Sequence, residues 1–539
     1  VRGVLDLVVV GGGPAGLATA IAARLAGLSV RVLERARPPI DKACGEGLMP
    51  DAVGLLAALG VELPAESCHR FRGIRYMDGE LTANGLFPQA GGLGVRRPVL
   101  HQALARRAAE LGAELCWGAA VVGLAPAGPT PAAGQAPRRL GWPRPGDVSG
   151  PLPTGAQAGR GSGDLGSRAV RGVMMADGEV IEARWVAGAD GLRSRVRRWA
   201  GLEGAPARHR RFGVRRHYAC QPWNDLVEVH WGPGCEAYVT PVGPEEVGVA
   251  LLWEDDAAPV AARGRARGGA RAGGAADAAD VAAWSGAADA AAWADTADAV
   301  GRVGAGAWAG AAGGAGGAAA GRVSFDALLA HFPALAERLA GAPVTSRDRG
   351  AGPLAQRPRR VWRANVALVG DAAGYLDAIT GEGLAVALHQ AVALAEALAG
   401  ALAKTPEALA QTTVETLART PPAALARPGE ALTGPVANAS AEALAQAPTA
   451  APGAAGDSSP DALASYGTAC RRIGRLPDIM TAVVLALERR PWLRRRAFSA
   501  LAAEPALFSR LLGIHARTLP PAGLGIDGAL RLVYRLVTA

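Results

Sequence analysis

Aromatic side chains are scarce in this 539-residue chain: phenylalanine, tryptophan and tyrosine make up 5% of it, and there are only 5 methionines. Half of the residues count as hydrophobic, but much of that share is alanine, which buries little area. The shortage is greatest from 257 to 322, where 30 alanines and 15 glycines leave almost nothing to pack. Cysteine is sparse too. The six present (Cys44, Cys68, Cys116, Cys220, Cys235 and Cys470) lie far apart with no C-x-x-C pair. That argues against a disulfide framework or a metal site of ordinary spacing and predicts reduced thiols in a cytoplasmic protein. No signal peptide is expected, because the first apolar run, residues 4–10, leads straight into a glycine turn. The uncharged stretch 303–321 has only Val303 and Trp308 as large apolar residues, so it reads as linker rather than as a membrane span.

Acidic residues are short at one end of the chain. From Ser465 onward there are 12 arginines against Asp478, Glu488, Glu504 and Asp527, which accounts for nearly all of the overall charge of +9. Two readings of this tail stand: an amphipathic helical cap on the fold, or a basic face resting on an anionic membrane as a peripheral contact. No nucleic-acid-binding motif accompanies the charge, so no nucleic-acid partner is expected.

The patterned part of the chain is about 370 residues long. Residues 4–10 read as a buried strand, 17–25 as a helix and 29–33 as a second strand, a βαβ unit. Residues 98–111 read as a helix and 114–122 as one strand. Strands 170–175 and 180–187 flank the turn pair Asp177-Gly178, and 211–253 alternates as an antiparallel sheet. Helix 324–339, strand 365–369, helix 383–403 and a helical C-terminus complete the pattern. Three low-complexity insertions, 126–168, 257–322 and 403–460, separate these parts. Trp284, Trp293 and Trp308 are the only hint of an interaction element in the second.

Gly11-x-Gly13-x-x-Gly16 follows a strand and opens a helix, and Glu34 ends the next strand. Glycine at 11 permits the sharp turn, at 13 lets backbone approach a pyrophosphate, and at 16 lets helix and strand pack closely. The helix start offers free N–H groups and a positive dipole end to phosphates, and Glu34 can accept from ribose hydroxyls. Further on, Asp190-Gly191 follows strand 180–187, Gly370-Asp371 follows strand 365–369, and Gly381-Glu382-Gly383-Leu384 opens a long helix.

On these motifs the sequence resembles the flavoprotein superfamily of group A aromatic hydroxylases, geranylgeranyl reductases and flavin-dependent halogenases. The resemblance implies an α/β fold with three parts. A Rossmann-like FAD-binding domain of the glutathione-reductase type would be assembled from 1–125, 169–200 and 362–402. A mainly antiparallel β substrate domain (201–256 and 323–361) would be inserted in it, and 461–539 would form a basic helical C-terminal cap. It implies non-covalent FAD, with NAD(P)H as electron donor, and FAD contacts at Pro14, Ala15, Arg35, Arg97 and Val122 besides the motif residues. Asp371 would take a ribityl hydroxyl, and the turn at Gly381–Leu384 would lie against the pyrimidine end of the flavin.

The segment Asp41-Lys-Ala-Cys-Gly-Glu-Gly-Leu-Met-Pro50 looks like the Cys-Gly segment of geranylgeranyl and menaquinone-type reductases, which lies along the flavin ring. Cys44 is therefore either a proton-donating thiol or a small side chain fitting under the ring, and Glu46 either a ring neighbour or a solvated turn residue. Gly374 stands where hydroxylases carry histidine, as in the reductases; Ala378 replaces the usual proline; and the halogenase Trp pair is absent, the sheet reading Tyr238-Val-Thr-Pro241. His217, Tyr218, His230 and Tyr238 fall in the sheet that would roof the flavin; one or two of them are candidates to face substrate, Tyr238 being the one named as a pocket residue, while a strand histidine more often reads as a satisfied structural residue. Two chemistries remain on a hydrophobic small-molecule substrate. The favoured one saturates a carbon–carbon double bond, and the alternative is monooxygenation through a flavin C4a-hydroperoxide. A flavin-binding assembly protein without catalysis is a remote third.

Overall fold

The computed structural model describes residues 4–127, 169–207, 210–254, 323–402 and 462–538. The low-complexity insertions, with Trp284, Trp293 and Trp308, lie almost wholly outside the described residues. The chain begins with β1 (Leu5–Val10), α1 (Pro14–Leu25) and β2 (Val30–Glu34). It continues through β3 (Gly47–Leu48), α2 (Pro50–Ala58), β4 (Cys68–Phe71), β5 (Gly73–Asp78), β6 (Leu81–Leu86) and β7 (Gly92–Val95) to α3 (Arg97–Glu110), β8 (Glu114–Trp117) and β9 (Val121–Pro126). Next come β10 (Val170–Met175), β11 (Val180–Gly188), α4 (Arg195–Trp199), β12 (Arg211–Ala219), β13 (Leu226–Gly232), β14 (Cys235–Gly243) and β15 (Glu246–Glu254). Then follow α5 (Phe325–Leu329), α6 (Pro333–Leu339), β16 (Arg349–Ala351), β17 (Trp362–Arg363), β18 (Val366–Leu368) and α7 (Gly383–Ala401). Four helices end the chain: α8 (Ala462–Glu488), α9 (Pro491–Ala503), α10 (Pro505–His515) and α11 (Gly525–Thr538).

The first sheet has the order β17-β18-β11-β1-β2-β8, parallel except for the β17 edge. A strand covered on both faces must be apolar where it is buried, which is why β1 reads Leu-Val-Val-Val over residues 7–10, with Asp6 at its half-buried start. One face packs on α1, α2, α3 and α7 through Leu7, Val9, Leu17, Ile21, Leu104 and Leu394. The other packs on the β9–β10 layer and α4 through Val8, Val173, Val186 and Val196. The chain leaves β1 toward β2 on one side, while β11 and β18 lie on the other. Strand order thus reverses at the carboxyl end of β1, where such sheets open a ligand crevice.

The second sheet, β16-β12-β15-β14-β13-β5-β6, is antiparallel except where β13 meets β5. It differs from the expected 201–256 unit by taking β5 and β6 from inside the segment assigned to the first FAD part. Leu81–Leu86 reads Leu-Thr-Ala-Asn-Gly-Leu, too weakly apolar to announce a strand. Alternation gives the sheet two buried faces. Ala237, Val239, Val249 and Leu251 pack under α5 and α6, whereas Val229, Trp231, Leu252 and Tyr238 face the C-terminal helices through Phe498 and Leu512. Arg494 of α9 forks onto Asp78 at 2.9 and 3.1 Å, tying the cap to β5.

Two elements are shorter than expected, each for a local reason. Strand 114–122 is broken at Gly118, which takes a φ of +78°. Helix 324–339 is split because Pro333 cannot donate to the preceding turn and starts α6 instead. Among the described residues one straight helix, α7, is long and apolar enough to cross a membrane. It is half buried in the fold and packs in the core beside α1.

Candidate functional site

The crevice at β1 opens into a cavity of about 1170 Å³ that continues between the second sheet and the C-terminal helices. Its inner end is built by turns from distant parts of the chain. Gly11 adopts a φ of +110°, and a Cβ there would lie 2.4 Å from the Ala189 carbonyl oxygen; a Cβ on Gly16 would lie 1.9 Å from the Gly11 carbonyl. These two glycines close the turn against β11 and let α1 seat on the strand. Gly13 is different. A Cβ there would meet nothing within 4 Å, and the residue lines the cavity at the start of α1.

Of the residues singled out from sequence, the structure brings Gly13, Pro14, Ala15, Arg35, Cys44, Glu46, Arg97, Asp190, Gly191, Tyr238, Gly370, Asp371, Gly381, Gly383 and Leu384 to the wall of this one cavity. Gly11, Gly16, Glu34, Val122 and Glu382 do not line it. Glu34 is buried behind the turn, where its carboxylate accepts from the N–H groups of Gly12 and Ala36 at 2.8 and 2.9 Å. It thereby holds the glycine loop in shape. Val122 is 43% exposed on β9. Glu382 precedes α7, and its carboxylate turns to His515 Nδ1 at 3.4 Å, so any contribution to the cavity is through backbone. Asp190 accepts from Ser194 Oγ and the N–H groups of Arg195 and Val196. It fixes the loop after β11 by capping α4.

Asp371 sits in the 3-10 turn after β18, and its carboxylate has no hydrogen-bond partner among the described residues. Burial raises its pKa; Arg97, Lys42 and Arg197 oppose the shift. A Cβ on Gly370 would meet the Ala15 methyl at 2.7 Å, so this turn lies directly on the start of α1. The donor set fits FAD. An open glycine and a helix N-terminus suit a pyrophosphate, Arg35, Lys42 and Arg97 supply positive charge, and Asp371 offers an acceptor for a sugar-like hydroxyl.

Cys44 lies between this end and the apolar chamber. Its Sγ accepts from Arg97 Nη1 at 3.7 Å and from the Glu46 N–H at 3.4 Å. Glu46 is not a solvated turn residue. It is 2% exposed with a φ of +58°, and its Oε1 accepts from the Arg97 N–H at 2.8 Å. Its Oε2 pairs with His217 Nε2. On the other side of that ring, Nδ1 lies 2.9 Å from Arg215 Nη1 and 2.7 Å from Ser346 Oγ. Arginine can only donate, so Nδ1 accepts and the neutral ring carries its proton on Nε2, toward Glu46. Burial lowers the His217 pKa, opposed by Glu46. The histidine read as a satisfied sheet residue therefore links half-buried Ser346 to the cavity wall. Ser346 and Arg215 carried no sequence signal: the register of β12 brings Arg215 and His217 to Glu46, and Ser346, from the loop after α6, reaches only His217.

Tyr238 lines the chamber, and its hydroxyl donates to the Ile379 carbonyl at 3.0 Å, which ties β14 to the loop before α7. Beside it lies a charge cluster that sequence reading missed. Arg211 contacts Glu236 at 2.6 Å, Asp377 at 2.9 Å and Glu488 at 3.7 Å, all buried. Burial, opposed by Arg211, pushes the Glu236 carboxyl up to about 7. Met49, Phe71, Ile74, Val229, Leu252, Leu354, Ile379, Val484, Leu512 and Leu536 give the chamber a large apolar wall, while Arg193, Arg215, Arg216, Asp348 and Arg349 line a charged part of the same cavity.

Residues 4–124 match the family described as FAD binding domain. Over 121 residues, 22% of this chain and 30% of the relative, the sequence is 40% identical to a menaquinone reductase of Mycolicibacterium smegmatis. It is 39% identical, with the same coverage, to a menaquinone reductase of Mycobacterium tuberculosis. The chain thus matches under a third of the length of these relatives. A flavoprotein/dehydrogenase from Cytophaga hutchinsonii superposes with a TM-score of 0.58 at 14% identity, covering 99% of this chain and 100% of that one, a likeness of fold. Residues 4–124 therefore carry an FAD binding domain, with its glycine turn at the inner end of the cavity, in a chain whose fold is similar to that of a flavoprotein/dehydrogenase.

Proposed function

We propose that the protein uses NAD(P)H-reduced FAD to saturate a carbon–carbon double bond in a hydrophobic, isoprenoid-like molecule. The observation that carries this reading is the single cavity, which runs from Gly13, Arg97 and Asp371 past Cys44 into an apolar chamber. The apolar part of its wall, from Phe71 and Ile74 to Val484 and Leu512, suits a long hydrocarbon. The N-terminal match to menaquinone reductases and the Cys44 segment favour reduction over oxygenation.

Gly13, Arg97 and Asp371 would hold FAD, which would supply a hydride for one alkene carbon. The other carbon needs a proton. Cys44 lines the cavity with its Sγ held by the Glu46 N–H and Arg97 Nη1, and we assign delivery of this proton to its thiol. The chain Ser346–His217–Glu46 supplies replacement protons to the same wall. The balance is alkene plus NAD(P)H plus a proton giving the saturated product plus NAD(P)⁺. The C-terminal helices cover the chamber with Leu487, Val484 and Leu512.

The test is anaerobic NADPH oxidation in the presence of a polyprenyl substrate, with the product weighed by mass spectrometry. Gain of two hydrogens without oxygen is expected. An absolute requirement for oxygen, with labelled oxygen in the product, overturns the reading in favour of a monooxygenase.

A further inference from the structure

We propose that the C-terminal helices dock the protein on an anionic lipid surface, with the mouth of the apolar chamber against the bilayer. The inference rests on the hydrophobic-substrate reading for its purpose but not for its evidence, which is the surface itself. Most apolar side chains of this cap are buried, and the exceptions are grouped. On α11, Ile526, Leu530 and Tyr534 are 82%, 65% and 64% exposed and recur every four residues, one stripe along the helix. On α8, Ile479 and Val483 are about half exposed at the same spacing. Val483 also lines the chamber, as does Leu536 of α11, so the chamber reaches the surface among these residues.

Charge selects the partner. Trp492 of α9 is 62% exposed, and Arg495 and Arg496, three and four residues later, share its helical face. Both arginines are exposed and make no ion pair among the described residues. An interfacial tryptophan flanked by arginines suits the headgroup layer of an anionic bilayer, and α11 packs beside this helix. A second copy of this chain would present the same arginines and repel them. A lipid surface also explains why the apolar stripe adjoins the chamber: a hydrocarbon substrate can pass between bilayer and chamber without crossing water.

The experiment is co-sedimentation of the full chain, loaded with FAD, with vesicles of phosphatidylcholine alone or mixed with phosphatidylglycerol. Binding to the anionic vesicles is expected and should weaken as salt is raised. The triple variant Ile526→Asp, Leu530→Asp, Tyr534→Asp should lose at least about tenfold in affinity while keeping wild-type flavin content and circular dichroism. The pair Arg495→Gln, Arg496→Gln should lose about thirtyfold on anionic vesicles, near fivefold per arginine, and nothing on neutral ones. Equal binding to both vesicle types, or full binding by the triple variant, overturns the proposal. So does a concentration-dependent dimer that the triple variant abolishes, which would make the stripe a contact between copies. No step requires turnover. Loss of vesicle binding with intact alkene reduction in detergent would remove the docking surface alone, and the reverse outcome would remove the reductase reading alone.

Discussion

Replacing Gly13 with alanine separates a loop that binds a pyrophosphate from a loop that is merely tight. The φ and ψ of Gly13 are −73° and 178°, extended backbone that alanine adopts without strain, and its added methyl would meet no protein atom within 4 Å. Loss of unfolded-state freedom should then stabilise the FAD-free protein by about 0.4–1 kcal/mol, raising Tm by roughly 0.5–1.3 °C at this size. The same methyl projects into the space where phosphate oxygens would approach the start of α1. Loss of one charge-assisted hydrogen bond is worth about 1.5–3 kcal/mol, about tenfold to a hundredfold in Kd. For FAD at 100 times the wild-type Kd, binding stabilises the fold by about 2.7 kcal/mol. A hundredfold weaker site leaves about 0.4 kcal/mol, so the FAD-induced rise in Tm should nearly vanish. The assay is thermal unfolding with and without FAD, together with a flavin fluorescence titration. Gly16→Ala is the control: its methyl would sit 1.9 Å from the Gly11 carbonyl, so it should fail to fold. Unaltered FAD affinity in Gly13→Ala, with its FAD-free stability intact, would refute the placement of the pyrophosphate.

Other outcomes follow from the same geometry. Cys44→Ala should bind FAD normally yet slow alkene reduction at least about tenfold, measured by stopped-flow oxidation of the reduced enzyme; wild-type rates would return the thiol to packing. His217→Gln removes the titratable ring from the chain to Glu46 and should slow turnover by a similar factor, with an enlarged solvent isotope effect, while FAD affinity holds. Glu236 ionises in the fold at about 7 against an ordinary 4.5, so the native state binds the extra proton between those values and stability falls as pH rises through that window. Glu236→Gln should flatten that slope, gaining on wild type by on the order of 2–3 kcal/mol between pH 4.5 and 8 in urea melts. Phe498, fully buried against Tyr76 and Trp231, should cost about 3–5 kcal/mol when replaced by alanine, because the cap loses its main anchor on the sheet.

Much of the fold was legible because its signals are local. An unbroken apolar strand, a glycine turn and a capped helix occupy thirty consecutive residues, and Gly370-Asp371 and Gly381–Leu384 announce themselves the same way. Strands β5 and β6 escaped because their apolar content is low and their partner, β13, lies some 150 residues away. Glu46 looked ambiguous for a related reason. Beside two glycines it reads as a turn residue, yet Arg97 from α3 and His217 and Arg215 from β12 converge on it.

The amino-acid sequence by itself determined the FAD-binding βαβ unit and the basic helical end, since each depends on neighbours within a few turns of chain. Tertiary structure alone decided that Glu34 and Glu382 turn away from the cavity, that Ser346, His217 and Glu46 form one hydrogen-bonded chain, and that Arg211 holds three carboxylates. Those arrangements depend on strand register and on how the cap seats upon the sheet. Hydrogen-bond geometry is settled over a few ångströms between residues far apart in the chain, a distance scale that pattern and spacing do not encode.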